Sequence, residues 1–136
     1  MKMVTEDYVS FETAKLLKEK GFDSECDYLY VNGGIVRAQG GKCNWNKGET
    51  IFTDYKNECS APTLQMAMKW LREVHRRIIS PKYNEVKDER GLLYSMWFFD
   101  ILPISKTLPI IEYNQSYDSY EQACEAAIKY CLENLI

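Results

Sequence analysis

Five cysteines and one histidine are the side chains of this 136-residue chain best suited to act as nucleophile or neutral-pH base. Cys59 stands just before an expected helix, whose N-terminus would lower a thiol pKa. His75 falls on the apolar face of that same helix, near its end, with no acid partner evident, which is the setting of a core or boundary histidine. No base stands beside Cys59 in the sequence, so a cysteine enzyme built on Cys59 and His75 ranks behind the binding readings below. Cys26, Cys43, Cys59 and His75 recur at intervals of about sixteen residues and invite a zinc reading. Structural zinc sites hold their ligands in closely spaced pairs, and this sequence has none, so no metal or other cofactor is expected. Neither a dinucleotide-binding nor a P-loop glycine motif occurs. Gly33-Gly34 and Gly40-Gly41 read as hairpin glycines, since no following helix would aim its N–H groups at a phosphate.

The remaining candidates are binding residues. Lys69, Arg72 and Arg76 project within a sector of about 60° on the second expected helix, with Arg77 nearby. That stripe suits phosphates or an acidic partner, and equally a solvated face whose cations complement the helix C-terminus. Trp45 lies between Asn44 and Asn46 in an expected loop, where it either anchors a ligand or covers the end of a sheet. Tyr28 and Tyr30 are two apart on an expected strand and so share one face of it. Asp23, Glu25 and Asp27 follow a helix stop and read as a solvated turn rather than a cation site.

Composition bounds the class. Seventeen Lys and Arg against twenty Asp and Glu give a formal charge of −3, which excludes a globally basic nucleic-acid binder while leaving room for a local patch. The 46% apolar share excludes a wholly disordered chain. Aromatics make up 13%, and ten of these residues are tyrosines. The N-terminus carries no apolar stretch of a secretory signal, and no run reaches the length of a membrane span. An odd cysteine count without an export signal favours reduced thiols, so a cytoplasmic protein is expected.

The elements that must position these residues are legible in part. Ser10 caps a helix that runs to Lys20, Gly21 supplies its left-handed stop, and Phe22 folds back on Leu16 or Leu17. Residues 28–38 read as a hairpin turning at Asn32-Gly33-Gly34, and a short strand is expected over residues 50–53. The second helix is announced by residues 60–63, with Pro62 in its first turn. Its apolar face runs Leu64, Ala67, Met68, Leu71, Val74 and Ile78, with Trp70 at the edge. Residues 77–80 start a strand, 84–91 form a turn or exposed loop, and 92–102 form the clearest strand. Its Met96-Trp97-Phe98-Phe99 is apolar on both faces, as in a central strand or one covered on both sides. Residues 110–113 give a last strand. A third helix opens with Asp118 or Ser119 as its cap, the spacing of Ser119 to Gln122 being that of a capping box, and it buries Tyr120, Ala123, Cys124, Ala127, Ile128, Cys131 and Leu135. The order α-β-β-β-α-β-β-β-α, with short connections, predicts one α+β domain: an antiparallel sheet packed with about three helices.

Three helical segments, residues 8–22, 61–73 and 119–128, together resemble a family of small uncharacterised proteins of bacteriophages, prophages and mobile elements of gut bacteria. The resemblance implies a phage or mobile-element origin and carries no catalytic residue over. The leading functional expectation is therefore a non-enzymatic accessory protein that binds another macromolecule, a protein in preference to nucleic acid, with no membrane association. The alternative is a small-ligand binder, such as one that sequesters a nucleotide, using the tyrosines, Trp45 and the basic stripe. The sequence leaves the oligomeric state open.

Overall fold

The structure, a computed structural model, describes residues 3–47, 58–105 and 110–136, with residues 112–114 described by their backbone alone. Among the described residues it is an α+β fold of three helices and two three-stranded antiparallel sheets, in the element order expected from the sequence. The chain divides into two compact units, residues 1–67 with Ile136 and residues 68–135.

In the first unit, helix α1 spans Phe11–Glu19. Ser10 caps it, its Oγ accepting from the Thr13 amide at 3.2 Å. At the other end Gly21 takes φ +91°, a conformation open to glycine at little cost. The Phe22 amide then donates to Leu17 O at 2.9 Å and the Gly21 amide to Lys18 O at 3.1 Å, a complete Schellman ending. Strands β1 (Tyr28–Val31) and β2 (Gly34–Arg37) form the hairpin, and Asn32 and Gly33 both have positive φ, as a tight primed turn requires. The third strand of this sheet, β3, is Cys59–Ser60, which pairs with β1 and leaves β1 central. The strand expected over residues 50–53 lies outside the described residues.

Helix α2 spans Leu64–Val74, with the unit boundary inside it. Its start differs by one feature from the expectation. Thr63 is the cap, its Oγ1 accepting from the Met66 amide at 3.1 Å, so Pro62 precedes the helix instead of sitting in its first turn. Its end differs more. The helix stops at Val74, Arg76 takes the left-handed φ of +58°, and Ile78 belongs to a strand.

The second unit is built on strands β4 (Arg77–Lys87), β5 (Leu93–Pro103) and β6 (Ile111–Tyr117), with β5 central as its apolar run predicts. The stretch 84–87, expected as loop, instead continues β4, because each residue through Lys87 has a partner on β5. The turn is confined to residues 88–92, where Asp88 Oδ1 accepts the amides of Arg90 and Leu92 at 2.9 and 2.8 Å. Helix α3, Tyr120–Asn134, is capped by Ser119, whose Oγ accepts from the Gln122 amide. Gln122 Oε1 reaches back to the Asp118 amide, closing the expected box one residue earlier than the usual partner. Ala123, Cys124, Ala127, Ile128, Cys131 and Leu132 are buried.

Candidate functional site

Three of the six residues singled out for binding, Tyr28, Tyr30 and Trp45, are engaged inside their own unit. Tyr28 and Tyr30 do share one face of β1, and both face the chain's N-terminal part. The Tyr28 ring packs against Tyr8 with centroids 4.7 Å apart. The Tyr30 hydroxyl donates to Val9 O at 2.6 Å while its ring meets Phe11 edge-on at 5.3 Å. Trp45 corrects the picture of an exposed anchor. It opens a single 3-10 turn, Trp45–Lys47, and is only 7% exposed. Its indole N–H donates to Cys26 O at 2.8 Å and its amide to Ser60 Oγ at 3.1 Å. The flanking Asn46 accepts from the Ser60 amide and donates to Phe22 O, and Asn44 Oδ1 accepts from the Asn46 amide. The polar residues around Trp45 thus satisfy backbone groups, and the buried indole is held at the Cys26 carbonyl.

The basic stripe is interrupted. Lys69 and Arg72 are exposed on α2, whereas Arg76, also exposed, lies beyond the helix in the left-handed turn that leads into β4. The 60° sector assumed a helix that continued through residue 76, and the earlier stop removes that assumption.

The thiol chemistry is muted by burial. Cys59 is 1% exposed and burial pushes its thiol up to about 11, against the smaller opposing pull of Lys18 and Lys15. It lies in β3, five residues ahead of Leu64, so α2 does not begin at it. His75 packs edge-on against Trp70 at 4.6 Å, as a boundary histidine. Among the described residues no three of His, Cys, Asp and Glu gather to hold a metal ion, and no helix is long and apolar enough to cross a membrane.

Two surface depressions bear on a small ligand. One of about 170 Å³ is lined by Lys15, Lys18, Glu19, Glu58 and Cys59, and Lys18 Nζ there donates to Glu58 O at 2.8 Å. The other, about 440 Å³, is lined by Asp27, Arg37, Ala38, Gln39 and Gly41. Neither contains an aromatic side chain on which a base would stack, and neither receives Tyr28, Tyr30 or Trp45.

What sequence reasoning missed is a sheet face. Register along the β4–β5 pair is unbroken from Arg77 opposite Pro103 to Lys87 opposite Leu93. Alternation therefore puts Trp97, Phe99 and Ile101 on one face and Tyr94, Met96, Phe98 and Leu102 on the other. The first face is covered by α3: Phe99 and Ile101 are fully buried and Trp97 meets Tyr120 edge-on at 5.2 Å. On the second face Ile78 and Val86 from β4 join the four β5 residues, and none of the six is buried. On this face Lys82 Nζ lies 2.7 Å from Asp100. The signal was present in the two-sided apolar run of β5, which reads as a central strand or one covered on both sides; β5 is central, and its second face is incompletely covered. No protein-family model, no curated protein and no solved structure matches the chain.

Proposed function

We propose that this chain is a non-enzymatic accessory protein of a phage or mobile element, and that it acts by binding another protein through the second face of the β4–β5–β6 sheet. The observation that carries the reading is the incomplete cover on that face. Six apolar side chains line it, none of them buried, although a strand apolar on both faces gains most when both are covered. Lys82 on that face is balanced by Asp100, so its chemistry suits an apolar protein surface and not a phosphate backbone. The resemblance of the three helical segments supports the origin. Neither of the two depressions described above offers an aromatic side chain for a base to stack on, which favours this reading over the nucleotide-sequestering alternative, and the raised Cys59 thiol weighs against a cysteine enzyme.

The test compares three versions of the tagged chain, each checked for an unchanged circular-dichroism spectrum, in capture from lysate. These are the native chain, Tyr94→Glu with Met96→Glu, and Lys69→Ala with Arg72→Ala and Arg76→Ala. A partner retained by the native and basic-stripe versions and held about tenfold more weakly or worse by the acidic one is expected. Equal retention by all three, or a nucleic-acid gel shift lost only in the basic-stripe variant, overturns the reading.

A further inference from the structure

Two of the five cysteines stand directly opposite one another. Cys26 and Cys43 form an isolated antiparallel bridge, in which the Cys26 amide donates to Cys43 O at 2.9 Å and the Cys43 amide donates to Cys26 O at 3.3 Å. Residues that exchange both hydrogen bonds have Cα atoms about 5.5 Å apart, with side chains on the same face of the ladder. Disulfides span Cα separations of about 4.4–6.8 Å, a range that includes this pairing, and a small approach of the two Cβ atoms completes the geometry. Both thiols are free. Other pairings within a unit fare worse. Cys59 sits opposite Tyr30 on β1 and is paired with neither Cys26 nor Cys43. Cys124 and Cys131 are seven residues apart on α3, which separates their Cα atoms by about 10 Å.

We propose that Cys26 and Cys43 are an oxidation site, closed to a disulfide by a peroxide, which locks the β1–β2 hairpin to the Trp45 turn. Cys43 is half-exposed and Cys26 buried, which sets the order of events. The Cys43 thiolate attacks one peroxide oxygen, the O–O bond breaks, and a sulfenic acid forms as hydroxide leaves. Cys26 then attacks the Cys43 sulfur, the S–S bond forms, and the second hydroxide leaves. With the two thiol protons, the hydroxides become two waters: two thiols and one hydrogen peroxide give one disulfide and two waters. The Cys26 thiol at present donates weakly to Ser24 O at 3.7 Å and hydrogen-bonds with the Ser60 side chain, weak sulfur contacts that rotation about its Cα–Cβ bond gives up. Burial pushes that thiol up to about 11, so Cys26 suits the slower, resolving role. The lock is well placed, since Cys26 O already receives the Trp45 indole and Asn44 follows Cys43 directly.

Oxidation of the reduced full chain with one equivalent of hydrogen peroxide, followed by tryptic mapping without reduction, tests this directly. Cleavage after Arg37 and Lys42 separates the two cysteines, so a disulfide appears as peptides 21–37 and 43–47 joined, with a mass lower by two hydrogens. The joined species is expected in the native chain and absent in Cys43→Ser. The melting temperature of the oxidised native chain is expected to exceed that of the reduced form by about 5 °C or more, a difference Cys43→Ser does not show. Separate peptides with added oxygen on Cys43, covalent dimers through Cys43, or a joined species with no rise in melting temperature each overturn the proposal. The mapping on the native chain stands whether or not the variant folds.

Discussion

Trp45 has asparagines on both sides and lysines just beyond, and local composition places such a residue at a loop tip. What buries it is non-local: Ser60 and the Cys26 carbonyl meet its two N–H groups from fifteen and nineteen residues away in sequence. Pairings of that separation leave no trace in spacing, which is why the two readings of Trp45 stayed open until the structure distinguished them. Truncation should therefore behave as a core mutation. Trp45→Ala is expected to cost about 3–5 kcal/mol in urea unfolding, because it leaves both a cavity and an unmet Cys26 carbonyl. Tyr30→Phe removes only the hydroxyl donated to Val9 O and should cost about 1 kcal/mol. A loss below about 1 kcal/mol at Trp45 would restore the exposed-anchor reading. Thiol accessibility gives a second check: in the folded protein Cys43 is expected to alkylate first, with buried Cys26, Cys59, Cys124 and Cys131 requiring denaturant.

At the scale of elements, the ends marked by specific residue chemistry were legible and the end without it was not. Ser10 and Gly21 bracket α1, Ser119 and Gln122 open α3, and Asn32-Gly33 turns the hairpin, each by a local hydrogen bond or a local φ requirement. The C-terminus of α2 has neither glycine nor proline, and its apolar repeat runs past Val74 to Ile78 in helical phase. The chain nevertheless leaves the helix there, because Ile78 pairs with Leu102 in the sheet and the Ile104 amide donates to Arg76 O at 3.1 Å. Arg76 consequently occupies a conformation that costs an L-residue with a Cβ about 1–2 kcal/mol. Arg76→Gly should raise stability by about 0.5–1 kcal/mol, the relief being partly offset by the greater freedom of glycine in the unfolded chain. An urea midpoint that falls instead would show that the Arg76 side chain itself holds the turn.

At the scale of the whole molecule, fold class and element order followed from periodicity, while the division of the six strands among the described residues into two sheets did not, since strand partnership depends on pairings far apart in sequence. Composition does carry one property common to both units, the burial of free thiols. Cys26 and Cys59 in the first unit and Cys124 in the second are each pushed up to about 11, and Cys131 to about 12, with burial the leading cause in every case. The thiolate is the form that burial disfavours, so folding holds these groups protonated above their ordinary value of 9.0. Below about pH 9 both folded and unfolded chains carry the protons, and stability does not depend on these groups. Between about 9 and 11 the unfolded chain releases them while the folded chain keeps them, and each thiol then lowers stability by at most about 1.4 kcal/mol per pH unit. Urea unfolding should thus show a midpoint that is level with respect to these thiols up to about pH 9 and falls steeply above it. Tyrosines and lysines also titrate at alkaline pH, so the decisive comparison is with Cys124→Ala and Cys131→Ala together. That variant starts from lower stability because it leaves small cavities, yet its slope between pH 9 and 11 should be shallower than that of the native chain. Parallel slopes would mean that the buried thiols of α3 ionise as readily in the folded protein as in the unfolded one.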